Sequence, residues 1–476
     1  MIKKWSWVLL GICFYGVHTS CSMLSHTRLL QHPSTMQVTP LRVHYPQPER
    51  MVLENGMVLY LLEDHELPLI ELTAAIRVGS AYDPADRAGL ASLTGSVMRT
   101  GGTAKLSPDE IDAQLEYMDA QIDISLDTEP GTASFSVLKK DVDRALDIFA
   151  QMLRYPVFNN DRLVLAQEQK IASLRRINDN PQNLALRQFK KLLYRNNPRG
   201  NLPTVESIKR IKKDDLISFQ RKFFHPNRIL MAVSGDFSRP EMIEAIKKRF
   251  ADWKPSYQDI PRIPLPLSVP SREVFHLQKK IPQSTIITGH LAPQKSHPDY
   301  CTFEVLNFIL GGGGFTSRLT SEIRSSRGLA YSVGSFFRGD VDYGVFGAYC
   351  MTKSSTTHQA LSLMLDIMNS IRDNVTAQEL EWAKESLLNS FIFSFSSSSQ
   401  VVTQQMLLEY EQLPRNFLDT FPSRIKAITL DDVHRVAREY LHPSQSIVLT
   451  IGDAQDFDKP LSDLGPVSEV FSDIQG

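Results

Sequence analysis

Histidine gives the first test of chemistry. The chain has twelve, at positions 18, 26, 32, 44, 65, 225, 276, 290, 297, 358, 434 and 442, and no two lie three or four residues apart. A helix that grips zinc with two histidines one turn apart is therefore absent. Cysteine offers no substitute. Cys13, Cys21, Cys301 and Cys350 form no C-x-x-C pair, which argues against a thiolate zinc site. Cys301 and Cys350 read as buried free thiols. Ser394 and Ser396 to Ser399 lie beside Phe391, Phe393 and Phe395, with no neighbouring His and Asp pattern to activate a nucleophile. They read as a loop or helix end. Gly311 to Gly314 form a flexible loop whose backbone could approach a ligand closely. A phosphate-binding loop continues with Lys and Ser or Thr, but Phe315 and Thr316 stand there instead. Ligand contact and a plain tight turn are both open readings of this run.

The chain that must position these residues has 476 residues, with 52 Lys and Arg against 53 Asp and Glu and a net charge of -1. That balance gives no global basic field, so nucleic acid is not an expected partner. Hydrophobic residues at 42% and charged residues at 22% exclude disorder and a disulfide scaffold as descriptions of the whole. Beyond the N-terminus no apolar run approaches the ~20 residues of a spanning helix. Lys3 and Lys4 precede an apolar stretch from Trp5 to Val17, the layout of a secretory signal peptide over residues 1–21. Export to a bacterial periplasm is expected. Thr19-Ser20-Cys21 resembles a lipoprotein lipobox, with His18 where a branched apolar residue is usual. Lipidation of Cys21, anchoring the protein to the outer membrane, is expected, with cleavage at Ser20-Cys21-Ser22 as the alternative. Residues 22–48, with Pro33, Pro40, Pro46 and Pro48, read as a tether.

An internal repeat organises the rest. Residues 214–236 read DDLISFQRKFFHPNRILMAVSGD and residues 431–453 read DDVHRVAREYLHPSQSIVLTIGD, at a constant offset of 217. Each copy predicts an amphipathic helix, a His-Pro break, an apolar strand and a Gly-Asp turn, so duplication is the reading. His225 and His442 are then turn residues rather than ligands. Pro255, Pro261, Pro264, Pro266 and Pro270 mark a stiff linker over 255–270. It separates an N-terminal domain, 49–254, from a C-terminal domain, 271–476. Ile70 to Val78 and Ala133 to Val137 alternate as strands, and Val142 to Met152 keep helical spacing closed by Pro156. Each half is expected to be α+β: a mainly antiparallel sheet with helices packed on one face.

Residues 53–103, LENGMVLYLLEDHELPLIELTAAIRVGSAYDPADRAGLASLTGSVMRTGGT, resemble the opening of the pitrilysin/insulinase-type metallopeptidases, the inverted zincins. The resemblance implies paired homologous α+β domains. It also implies a helix bearing H-x-x-E-H, whose histidines bind zinc and whose glutamate activates water. Here those positions are Ser92, Gly95 and Ser96. Serine is a poor zinc ligand and glycine cannot be a base. The family's third ligand falls near Ala172 and Ser173, with Glu168 the nearest acid. No metal site is expected in this chain. Residues 308–334, FILGGGGFTSRLTSEIRSSRGLAYSVG, resemble the stretch that carries the family's substrate-contacting arginine and tyrosine, here Arg324 and Tyr331. Leu319 and Ile323 predict a short helix face, Gly328 its cap and Tyr331 a strand start. Gly311, Gly312, Gly313 and Gly314 resemble a shorter version of the glycine-rich loop of the non-catalytic subunit of mitochondrial processing peptidase.

In two-chain members of the family, one chain has the zinc motif and the other has the arginine-tyrosine pair. This sequence shows the second pattern. The expected function is that of a zinc-less subunit, inactive alone, binding peptide or unfolded polypeptide beside a homologous H-x-x-E-H chain that holds the zinc. The alternative is a non-proteolytic peptide-binding or scaffold homologue.

Overall fold

Among the described residues, twelve strands form two six-stranded sheets, one on each side of residues 255–270. The computed structural model describes residues 45–474; the signal segment, Cys21 and most of the tether lie outside the described residues. The first sheet contains β1 (Glu49–Val52), β2 (Val58–Glu63), β3 (Leu69–Ile76), β4 (Gln121–Ser125), β5 (Gly131–Leu138) and β6 (Ile229–Gly235), in the order β1-β2-β6-β3-β5-β4. The second contains β7 (Glu273–Gln278), β8 (Gln283–Ala292), β9 (Ala330–Gly339), β10 (Gly344–Lys353), β11 (Ile447–Gly452) and β12 (Val467–Glu469), in the order β12-β7-β11-β8-β10-β9.

The repeated segments occupy equivalent places. The first copy is the helix Lys213–Phe223, a turn at Pro226–Arg228, and β6. The second is the helix Leu430–Tyr440, a turn at Pro443–Gln445, and β11. β6 runs parallel to β2 and antiparallel to β3. β11 likewise runs parallel to β7 and antiparallel to β8. His225 and His442 each precede the turn proline. Every residue of β11 is buried, as a central strand covered on both faces requires.

Within each half, helices cover one face of the sheet. The first core joins Leu72, Ala74 and Phe135 to Leu93, Val97, Phe149 and Phe219. The second joins Phe346 and Cys350 to Phe303, Leu361, Met364 and Val433. Both body cysteines are buried and free, and burial pushes Cys301 up to about 11 and Cys350 up to about 12.

The opposite faces are covered by exchange. From the helix Pro181–Leu193 of the first half, Leu184, Phe189 and Leu193 pack on Ile287, Leu449 and Ile451 of the second sheet. From the helix Ser398–Tyr410 of the second half, Val401, Val402 and Met406 pack on Tyr60, Leu62 and Leu230 of the first. Arg50 of β1 clamps Glu409 of that visiting helix with two bonds of 2.6 and 2.7 Å, a bidentate geometry that fixes orientation. The linker is strapped down as well: Pro264 O accepts from Asn197 Nδ2 at 2.8 Å and Arg199 Nη1 at 3.0 Å. Residues from Tyr45 onward therefore form one compact unit. The end of the tether is docked on it, with the Tyr45 ring stacked on Phe395 at 4.4 Å.

Candidate functional site

Ser92, Gly95 and Ser96 lie on the helix Leu90–Thr100. Asp83 fixes the start of that helix. Its carboxylate accepts from Gly89 N at 2.7 Å and Ala91 N at 2.8 Å, satisfying helix-end donors that would otherwise be orphaned. Asp83 is 5% exposed. Burial pushes its carboxyl up to about 7, against the opposing pull of the Ala91 and Gly89 amides.

Ser92 and Ser96 are half-buried and Gly95 is buried. A Cβ on Gly95 would meet Ile124 O at 2.8 Å and Leu126 Cγ at 3.1 Å. The helix thus lies against the β4 backbone where the family's general base would need room. A lysine occupies the space in front of Ser92. Lys170, on the helix Asn160–Ile177, donates to Ser92 Oγ at 2.8 Å and pairs with Asp127 at 3.2 Å. Ala172, Ser173 and Glu168 lie on the same helix, and Lys170 is the residue of that stretch that turns to Ser92. An ammonium beside the first ligand position repels a dication, and serine, glycine and lysine offer it no ligand set. The residues present do not fit a zinc ion. Among the described residues, no three His, Cys, Asp or Glu side chains gather as a metal-binding group.

The second half is arranged differently. Leu319 and Ile323 are buried, as the apolar face requires. The segment Thr320–Ser326 is wound as a π-helical turn rather than the short α-helix expected. Gly328, at φ +62°, closes it, with Leu329 N donating to Ile323 O at 2.9 Å in a glycine-ended helix stop. β9 then starts at Ala330 and sends Tyr331 outward, 78% exposed. The Arg324 guanidinium lies 4.9 Å from the Phe315 ring centre and 5.7 Å from that of Tyr331, within cation–π range of both. Neither Arg324 nor Tyr331 hydrogen-bonds or ion-pairs through its side chain among the described residues. A second arginine of this stretch, Arg318, is consumed structurally, holding Glu379 at 2.6 and 2.7 Å.

The four glycines do not form one flexible loop. Gly311 and Gly312 belong to a second π-helical turn, Phe308–Gly312. Gly311 is packed so tightly on β9 that a Cβ would lie 2.4 Å from Ser335 N. Gly313 lies against Phe308, and only Gly314 of the four, at φ +62°, has nothing within 4 Å of an added Cβ. Single π turns often mark functional sites, and these two flank Phe315 on either side.

A sequence model of the family described as Insulinase (Peptidase family M16) matches residues 62–203, and one described as Peptidase M16 inactive domain matches residues 210–387. Together they cover more than half of the chain. The chain belongs to the insulinase-type (M16) peptidase family. Within that family it is an inactive-type member, since its own helix lacks every zinc-motif residue. It is 28% identical over 382 residues to a Helicobacter pylori protein described as "Non-peptidase homolog YmxG", covering 78% of this chain and 86% of that protein. It is 23% identical over 447 residues to the mouse mitochondrial-processing peptidase subunit beta, covering 90% of each. Among solved structures, a peptidase M16 inactive domain from Pseudomonas fluorescens superposes with a TM-score of 0.80 at 26% identity, covering 87% of this chain and all of that one.

Sequence reasoning misses two members of this constellation, Lys170 and Phe315. Lys170 stands two residues from the expected third-ligand position, so its charge is the available signal. Phe315 gives no signal in the sequence beyond breaking a phosphate-loop pattern.

Proposed function

We propose that this chain is the zinc-less subunit of a two-chain peptide-degrading or peptide-processing metallopeptidase. Arg324 and Tyr331 hold a substrate carbonyl and support the developing oxyanion. A homologous H-x-x-E-H chain supplies zinc and the base. The observation that carries this reading is the state of the pair: a half-buried Arg324 on a supported π turn and an exposed Tyr331 at the start of β9, neither with a side-chain partner among the described residues. Preorganised donors of this kind act on charge that develops in the transition state. With export through the 1–21 leader and a lipid on Cys21, the assembly works at a bacterial outer membrane. Replacing Cys21 with Ser tests the anchor, and unchanged membrane association argues against it.

A second reading is a non-proteolytic peptide-binding or scaffold homologue. It is favoured by the likeness to a relative described as a non-peptidase homologue. The deciding experiment pairs this chain with a candidate H-x-x-E-H partner encoded nearby and follows peptide turnover, zinc content and assembly by gel filtration. The chain alone is expected to bind no stoichiometric zinc and cleave nothing. Wild-type turnover from a well-assembled pair carrying both Arg324→Ala and Tyr331→Phe demotes this chain to a scaffold.

A further inference from the structure

A cleft of about 440 Å³ opens between the two halves beside the Lys170–Asp127 pair, within the ~300–1,000 Å³ typical of small-ligand sites. Its floor is the exchanged helix Pro181–Leu193, and its far wall comes from β9 and β10. Phe189, Leu193 and Phe336 supply apolar surface. Asp127, Glu129 and Asp340 line it together with Lys190, Arg199 and Arg338, and Arg199–Glu129, at 3.9 Å, is the pair of that set in ion-pair range.

Glu129 Oε1 is buried without any hydrogen-bond partner. The nearest guanidinium, Arg199, stands 3.9 Å from Glu129 and equally far from Asp342. It is committed elsewhere, donating to Pro264 O and lying 5.0 Å from the Tyr343 ring centre. A buried acceptor left this way costs a large part of a hydrogen bond's desolvation, and the carboxylate, 26% exposed at the cleft wall, keeps unused acceptor capacity. Burial raises the Glu129 carboxyl above its ordinary range, Asp340 and Asp342 adding to the rise and Arg199 opposing it.

Besides Arg199, two cations line the same cleft, half-buried Lys190 and exposed Arg338. Among the described residues neither has an ion-pair or side-chain hydrogen-bond partner. Burial lowers the Lys190 ammonium, the neighbouring Arg338 lowers it further, and Asp127 opposes. Asp127 is the counter-charge that acts on Lys190, and it is already paired with Lys170 at 3.2 Å, so the two neighbouring cations keep capacity for an anion.

We infer that this cleft binds an α-carboxylate carrying an apolar side chain and an adjacent N–H, as at a peptide C-terminus or in a free amino acid. The carboxylate meets Lys190 and Arg338, the N–H meets the partly exposed Glu129 carboxylate, and the side chain lies on Phe189, Leu193 and Phe336. Inorganic phosphate would satisfy the cations but leave Glu129 unpaired and repelled. A purely apolar ligand would leave all three charges without partners. This site requires no partner chain, so it stands or fails apart from the two-chain reading.

Calorimetric titration of the full chain with acetyl-Ala-Leu, its C-terminal amide and free leucine tests the inference. Acetyl-Ala-Leu or leucine is expected to bind, and acetyl-Ala-Leu amide to bind at least about 10-fold more weakly than its acid. Lys190→Met with Arg338→Gln should cause a similar loss, with folding checked by the thermal transition. Glu129→Gln, which keeps an acceptor oxygen but removes the charge, should weaken binding less. Binding of leucine assigns the site to amino acids; binding of the acetylated dipeptide alone assigns it to peptide ends. Equal affinity for acid and amide, affinity unmoved by the Lys190 and Arg338 changes, or no binding of either carboxylate at millimolar concentration overturns it.

Discussion

The two halves share a fold and a repeated segment, yet they treat their functional positions in opposite ways. In the first half the three zinc-motif positions hold small residues. One of them is closed against backbone, and a lysine stands in front of another. In the second half Tyr331 projects outward and half-buried Arg324 lies against an exposed Phe315, with the donors of both unpartnered among the described residues. The difference teaches that the zinc-motif positions are taken up by packing at Gly95 and by Lys170 at Ser92, while the arginine-tyrosine surface is open at Tyr331. A donor that merely stabilised the fold would have found a partner, as Arg318 has in Glu379.

The largest expected effect sharpens the second side of this contrast. In a reconstituted pair, Tyr331→Phe removes one hydroxyl and keeps the ring. Turnover should fall about 100-fold, near 3 kcal/mol, with assembly intact. Arg324→Ala should do similar damage, and the two losses should be less than additive if both donors serve one carbonyl. Steady-state peptide cleavage measures both.

The next effect probes how the first half holds its helix. The Asp83 carboxyl rises from 3.8 to about 7 on folding. Between those values the folded protein holds a proton that the unfolded chain releases. The stabilisation is therefore present below pH 3.8 and lost as pH rises through about 7. Urea melts across this window should show stability falling as pH rises, by roughly 2 kcal/mol, because the ionised site relaxes toward water and recovers part of the full shift. Asp83→Asn should flatten that slope.

A smaller effect tests whether Gly95 is structural. Alanine gains about 1 kcal/mol over glycine in a helix interior. Crowding Ile124 O at 2.8 Å should cost about 1–3 kcal/mol. For Gly95→Ala a net destabilisation near ~1 kcal/mol is expected in chemical denaturation, and a gain in stability would break the argument that the base position is sealed. Rebuilding the whole motif by combining Ser92→His, Gly95→Glu and Ser96→His should destabilise further and confer no tight zinc, as metal analysis of the purified variant would show. The smallest effect is Lys170→Met. Its ion pair with Asp127 is partly exposed, 27% and 55% for the two side chains, so stability should change by about 0.5 kcal/mol.

Local pattern made much of this protein legible. Alternation from Ile70 and Ala133 announced β3 and β5, and helical spacing from Val142 announced the helix Val142–Arg154. The repeat placed matching helix, turn and strand in both halves. The absence of helical histidine pairs, and the serines and glycine on the 90–100 helix, settled that this chain lacks the family's zinc motif. These are features of type and spacing, and hydrophobic periodicity carries them along the chain.

What only the tertiary structure decided involves residues far apart in sequence. Nothing in the periodicity of residues 181–193 or 398–410 says that each helix covers the other half's sheet. Lys170 meets Ser92 across 78 residues, a pairing no local motif encodes. Arg318 and Arg324 are indistinguishable as letters, and only packing makes one a clamp on Glu379 and leaves the other free. The glycine run looked uniform, but the approach of Ser335 makes Gly311 a packing residue and leaves Gly314 open. Sequence period fixes which face of an element is apolar. Which surface that face meets, and which charges are left without a partner, depends on how distant elements dock.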